Sequence, residues 1–205
     1  MMLQLQPLSA NLADYLQATE YANFEDSVIK QQLEQIRLQS PELEEQGRIA
    51  FAFVRDQIRH SFDYKGTLVT ISATQALQAK EGICFAKSHL LAALLRGLGI
   101  PTGFCYQRVM RKGTVESGFA LHGLNAVYFP SSGWRRVDPR GDKPGIHSEF
   151  ALAEEKLAYT LDTTKGEADD PRIFTEPLPD VIYAMRTSAT ADELFYLRPE
   201  NFPPL

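Results

Sequence analysis

Apolar positions recur every three or four residues along the first part of the chain and alternate later, and this change of period divides the sequence. Between Asn23 and Gln39, Phe24, Val28, Ile29, Leu33, Ile36 and Leu38 stand at near-helical spacing with charges between them, which predicts an amphipathic helix. Ser40-Pro41 interrupts it, and a second helix is expected to open at Pro41-Glu42 with acidic residues in its first turn. Ile49, Phe51, Phe53, Val54 and Ile58 would form its buried stripe, with Arg48, Arg55, Asp56 and Arg59 outside, so that residues 11–60 read as helical. Thr67 to Thr74 is rich in β-branched residues and reads as a loop or edge piece. From Cys84 to about Leu98 a third helix is almost free of polar residues between Leu90 and Leu95, the mark of burial on most sides; Gly97, Gly99 and Pro101 end it. The pattern then turns to strands: Thr102–Met110, Phe119–Phe129 and Trp134–Asp138, joined by a turn at Arg111-Lys112-Gly113 and a hairpin loop at Pro130-Ser131-Ser132-Gly133. Past Asp138, Glu149–Leu161 is expected to be helical, and the proline-punctuated stretches Pro171–Pro179 and Arg198–Leu205 to wrap the surface.

The whole reads as an α+β fold. A length of 205 residues without an evident linker predicts a single domain. A hydrophobic content of 44% is ordinary for a chain that buries a core. The net charge of −5 is spread without a basic run, which argues against a nucleic-acid partner. Met1-Met2-Leu3-Gln4-Leu5-Gln6-Pro7 lacks the basic start and apolar stretch of a secretory signal, and no apolar stretch is long enough to span a bilayer. The expectation is a cytoplasmic protein without a membrane partner, in which Cys84 and Cys105 stay unpaired.

Chemistry enters with three residues in chain order. Cys84 opens the third helix, His122 sits in Leu121-His122-Gly123-Leu124-Asn125, and Asp138 closes Trp134-Arg135-Arg136-Val137-Asp138-Pro139. Taken singly, each has a bland reading: a small buried hydrophobe, a satisfied strand histidine, a strand end. Together, a thiol, an imidazole to take its proton and a carboxylate to orient the imidazole are what acyl transfer requires. A helix N-terminus lowers a thiol pKa, and its free N–H groups can hold an oxyanion. Gln75 and Gln78, just upstream, are both candidates for a second oxyanion donor. Pleat parity supplies a test. If Tyr128 pairs with Trp134, Leu124 opposes Asp138 and His122 lies diagonal to it on one face; if Phe129 pairs with Trp134, the two residues point to opposite faces.

Other residues have milder expectations. Trp134 is a candidate lining of a substrate cleft, although a strand tryptophan commonly packs. Cys105 alternates with Phe104 and Tyr106 and reads as core. His60, His89 and His147 are scattered, so no metal is expected. Arg140 follows the aspartate; pairing with an acidic residue or a substrate carboxylate is one reading, and surface solvation is the expected one.

Four blocks in order, Gly82-x-Cys84, Leu94-Leu95-Arg96-x-Leu98-Gly99-Ile100-Pro101, Leu121 to Val127, and Gly133-Trp134-x-x-Val137-Asp138-Pro139, together with Phe53 to His60 upstream, resemble the transglutaminase-like superfamily, the circularly related cousins of papain-type cysteine peptidases. The resemblance spans roughly residues 45–145. It leaves a helical N-terminal segment, 1–44, and a surface-wrapping segment, 146–205, outside that core. It implies a papain-like α+β fold with the cysteine helix packed on an antiparallel sheet, Cys84 as nucleophile, His122 as general base and acid, and Asp138 as the residue fixing the imidazole. The implied activity is hydrolysis of, or acyl transfer from, an amide in a peptide or protein, without a cofactor. Protein-glutamine transamidation, arylamine N-acetyltransferase-type transfer and an inert binding domain of the same fold are the alternatives. No acidic calcium loop is evident, and no basic cluster suits coenzyme A.

Overall fold

Helix caps and apolar stripes decide where the first elements stand in the computed structural model, which describes residues 3–204. A two-residue strand, β1 (Gln6–Pro7), precedes a 3₁₀ turn at Leu12–Leu16. Helicity over residues 11–26 is otherwise absent, contrary to the expectation from the sequence. The first full helix, α1 (Ser27–Arg37), begins only where the Asp26 carboxylate accepts the Val28 N–H at 2.9 Å. It buries Ile29, Leu33 and Ile36. Helix α2 (Leu43–Gln57) follows with Glu44 and Glu45 in its first turn and Ala50, Phe51 and Val54 buried.

Strand β2 (Arg59–His60) and the four-residue helix α3 (Ser61–Tyr64) lead to a helix the sequence reading lacked, α4 (Ala73–Ala79). Its start is a capping box: Ser72 accepts the Gln75 N–H, and the Gln75 side chain accepts the Ser72 N–H. Strand β3 (Glu81–Gly82) then runs parallel to β2, setting His60 beside Gly82.

The cysteine helix, α5 (Cys84–Gly97), is buried along nearly its whole length. Gly99, at φ +89°, turns the chain out of it as expected. Strands β4 (Thr102–Met110), β5 (Phe119–Phe129), β6 (Gly133–Val137) and β7 (Ala168–Asp169) form an antiparallel sheet in the order β6-β5-β4-β7. The core joins α1, α2, α4 and α5 to one face of that sheet. A smaller cluster of Tyr15, Cys105, Leu124, Ala126 and Ile173 gathers separately. The class is α+β, with α5 packed on an antiparallel sheet.

The segment after β6 departs most from expectation. Residues 149–161 are not helical and hold only an isolated bridge between Glu149 and Lys156. Their polar groups are spent elsewhere: Glu155 binds Arg136, and the Ala158 N–H donates to Asp138 Oδ2 at 3.1 Å. Pro171–Pro179 is no surface wrap either. It carries β8 (Arg172–Ile173), which pairs with β1 and buries Ile173, and it delivers Pro179 as the first residue of helix α6 (Pro179–Thr187). Helix α7 (Ala191–Leu197) buries Leu194 against the same core. The tail beyond it is held in place: Pro199 O accepts the Leu121 N–H at 2.7 Å, on the edge of β5 that β6 is too short to cover. No helix among the described residues is long and apolar enough to cross a membrane.

Candidate active site

Two glycines let the cysteine helix reach the sheet. A Cβ on Gly82 would stand 2.8 Å from Ala86 Cβ and 2.9 Å from Thr70 Oγ1, so the chain can enter α5 at this angle only without a side chain there. A Cβ on Gly123 would fall 2.6 Å from Phe85 Cδ1, so the first turn of α5 lies flush on β5 beside His122. Ile83, the residue before the helix, offers no side-chain cap. The first-turn N–H groups around Cys84 therefore find no partner inside the helix.

The sheet register decides the rest. Tyr128 pairs with Trp134, the parity that puts His122 and Asp138 on one face. His122 Nε2 meets Asp138 Oδ2 at 2.8 Å. That leaves the other ring nitrogen free of Asp138, and the thiol of Cys84 lies near enough for the two groups to act on one another's charge. The three side chains are 2%, 2% and 0% exposed for Cys84, His122 and Asp138. Asp138 accepts two further bonds: Oδ1 takes the Arg140 N–H at 3.1 Å, and Oδ2 takes the Ala158 N–H besides that of His122. The Tyr159 ring stands edge-on to His122 with centroids 4.8 Å apart, fixing the imidazole plane.

Burial and charge pull against one another here, and charge wins at each residue. Burial would raise the Cys84 thiol, but the adjacent His122 charge and hydrogen bond, with Arg198 beyond, hold it below its ordinary value. Burial would lower His122, yet Asp138 and Cys84 on its two sides raise it well above the usual imidazole range. Asp138, which burial alone would raise, is held low by His122 and by the Ala158 and Arg140 N–H groups. All three shifts run in the direction that favours a thiolate–imidazolium pair backed by a carboxylate.

Cys84 and His122 line a cavity of about 560 Å³. A roomier hollow of about 760 Å³, walled by Arg136, Glu155 and Asp169, contains neither residue. The site cavity is also lined by His60, Phe62, Asp63, Tyr159, Phe195 and Arg198. His60 is buried and kept neutral, first by burial and then by the neighbouring cations Arg140 and Lys87; its Nδ1 has no hydrogen-bond partner. Arg140 is not a surface residue. It is buried, grips Asp63 through two bonds of 2.6 and 3.0 Å, and donates to the Tyr159 hydroxyl at 3.0 Å.

The other residues singled out by sequence lie elsewhere. Gln75 is exposed, its side-chain carbonyl accepting the Ile71 and Ser72 N–H groups, and Gln78 is exposed beside Lys80. Neither borders the cavity, so neither supplies an oxyanion donor. Trp134 packs edge-on to Tyr15 and Tyr128, at 4.8 and 5.5 Å, and does not line the cleft. Cys105 is fully buried with its thiol pushed up by burial, and both cysteines are free. His89 anchors α5 to the Ile71 carbonyl at 2.7 Å, its pKa lowered to about 4 by burial, and His147 is exposed. Among the described residues no three His, Cys, Asp or Glu side chains are grouped as a metal site would need. Sequence reasoning passed over Tyr159, Phe195 and Arg198. Only His60 had a visible signal, since it ends the block that precedes the cysteine helix.

The chain belongs to the transglutaminase-like superfamily, whose core model matches residues 30–139, more than half of its length. That span contains Cys84, His122 and Asp138. Among solved structures it is similar to a proposed cysteine protease from Cytophaga hutchinsonii, with 15% identity and a TM-score of 0.49. The match covers 67% of this chain and 46% of that one, so this chain spans less than half the length of that protein. No curated protein matches it in sequence.

Proposed function

We propose that the protein hydrolyses an amide bond of a peptide or protein through a Cys84–His122–Asp138 triad. The Cys84 thiolate adds to the amide carbonyl carbon, and the oxyanion that forms accepts the Cys84 N–H from the start of α5. His60, neutral and bordering the same cavity, is the candidate second donor in place of the glutamines. The His122 imidazolium then gives its proton to the leaving amine, the C–N bond breaks, and a thioester remains on Cys84. His122, now neutral, takes a proton from water as the water attacks the thioester. The acid departs, and the thiolate–imidazolium pair is restored. Asp138 keeps the Nε2 proton on His122, so that the other nitrogen faces sulfur throughout.

The observation that supports this reading is a buried imidazole held by Asp138 at 2.8 Å that shares one cavity wall with Cys84. A free thiol suits a reducing compartment such as the cytoplasm. Water needs no acceptor subsite, which favours hydrolysis over transamidation. The test is a panel of peptide amides, with and without an added primary amine, turned over by the wild type and by Cys84→Ala. Free acid from the wild type alone is expected. An amide product with the amine would move the reading to transamidation, and equal product from both proteins would end it.

A further inference from the structure

The cleft is lined by more cations than anions, and all but one of its buried cations are matched. Arg140 holds Asp63 bidentately, Lys143 reaches the same carboxylate at 2.7 Å, and Arg111 pairs with Glu200 at 3.0 Å. Lys112, exposed at the rim, lies over the Phe195 and Tyr196 rings. Arg198 differs. It is only 7% exposed, borders the cavity with Cys84 and His122, and has no carboxylate partner among the described residues. Its Nε donates weakly to the Phe195 carbonyl at 3.3 Å, and its guanidinium lies over the Phe62 and Phe195 rings, 5.1 and 4.8 Å from their centroids. The two rings, nearly perpendicular to one another, flank the group without using its terminal N–H donors.

We propose that Arg198 is the receptor for a carboxylate on the substrate, so that the enzyme selects amides whose cleaved bond lies next to an acidic group. This rests on the amide-hydrolase reading and narrows its substrate class. A buried guanidinium without a counterion is costly. The Cys84 thiolate offsets part of that cost, and burial still keeps Arg198 below its ordinary pKa. A bound carboxylate would complete the balance through the paired N–H···O geometry that guanidinium groups favour. The anchoring matches such a duty. Pro199 O is tied to the Leu121 N–H, next to His122, and the Arg198 carbonyl accepts from Arg111 Nη2, so the residue is held from both sides of its own peptide.

The carboxylate could belong to an Asp or Glu side chain or to a peptide C-terminus, and the test separates these. Binding is measured by calorimetry to Cys84→Ala, which cannot turn substrate over, using peptides that differ only in Glu against Gln beside the scissile amide, and in free acid against C-terminal amide. Turnover by the wild type is followed with the same peptides. Acidic peptides are expected to bind about 10- to 100-fold more tightly than their neutral counterparts, the range of a charge-assisted hydrogen bond. That ratio should fall to about one in Arg198→Gln and be partly kept in Arg198→Lys, chiefly through Kd and KM. Equal binding of acidic and neutral peptides by the parent protein overturns the proposal without needing any Arg198 variant. So does a preference that survives Arg198→Gln. If acidic peptides bind selectively but the wild type cleaves none, the anion site stands and the hydrolase reading falls. If neutral and acidic peptides are cleaved alike, the hydrolase stands and the anion site falls.

Discussion

Replacing Asp138 by asparagine changes one atom of the triad and leaves no good arrangement for the amide. The wild-type carboxylate accepts three hydrogen bonds, from the Arg140 N–H on Oδ1 and from Ala158 N–H and His122 on Oδ2. If the new NH₂ takes the Oδ1 place, it faces the Arg140 N–H, donor against donor. If it takes the Oδ2 place, it opposes the Ala158 N–H and must donate to His122 Nε2, which puts the imidazole proton on the nitrogen facing Cys84. The first choice loses a backbone bond and the second gives the wrong tautomer; both remove the charge that raises His122. A hydrogen bond to a charged group contributes about 1.5–3 kcal/mol. Without that carboxylate charge, His122 should fall from its raised position toward the ordinary imidazole range. Cys84 should then ionise at higher pH, since the His122 charge is what holds its thiol down against burial. The assay is the pH dependence of iodoacetamide alkylation, in which fully buried Cys105, its thiol pushed up, stays silent below about pH 9. Turnover of a peptide amide should fall by about 10²- to 10⁴-fold. A variant that melts like the wild type, alkylates on an unshifted profile and keeps turnover within about threefold would refute the role given to Asp138.

Two further outcomes follow from packing and burial. Gly123→Ala would place a methyl 2.6 Å from the Phe85 ring, lifting the first turn of α5 from β5. The expected cost is about 1–3 kcal/mol in denaturant unfolding, with Cys84 alkylation moved to higher pH as its contact with His122 opens; unchanged stability together with an unchanged profile would mean that this contact does not position the thiol. Lys87, fully buried one turn along α5, donates to the Arg55 and Ile58 carbonyls, and burial with nearby Arg140 lowers it to about 7 against the raising effect of Asp138. From there to the ordinary lysine value near 10.5 the unfolded chain binds a proton that the folded chain does not, so this residue makes stability rise with pH. Lys87→Met should remove that slope. Melting temperatures from pH 6 to 10 check it, and a constant difference between the two proteins would show that Lys87 stays charged in the fold.

How much of this was legible beforehand depends on whether the signal was local. Helix α5 and strands β4 and β5 stand within a residue of the ranges read from sequence, because each carries an unbroken period and a glycine or turn at its end. Parity alone told that Asp138 and His122 would share a face once Tyr128 paired with Trp134. Helix α4 was missed although Ser72-x-x-Gln75 was there to be read; the β-branched run before it outweighed the cap. The same cap holds the Gln75 side chain at its own helix start, away from the cavity that Cys84 and His122 line. Residues 149–161 have the composition of a helix but not its structure, because contacts with Arg136 and Asp138 capture their side chains and backbone. Arg140 sits beside Asp138 in sequence and still read as surface, for nothing local announces a partner as distant as Asp63.

The division between what could be read and what could not is also a division of labour in the site. The family model ends at residue 139 and includes Cys84, His122 and Asp138. The groups that close the cavity around them, Arg140, Tyr159, Phe195 and Arg198, all come later in the chain. An ion pair such as the proposed Cys84–His122 couple is strong only where water is scarce, because the same charges attract several times more weakly in a high dielectric. The late segment narrows access for that water: Tyr159 packs edge-on to the His122 ring, and the tail tied from Pro199 to Leu121 carries Arg198, which with Phe195 lines the cleft. Bond-making chemistry can therefore be shared across a superfamily through the matched core. The selectivity proposed for Arg198 resides in residues that follow the matched core.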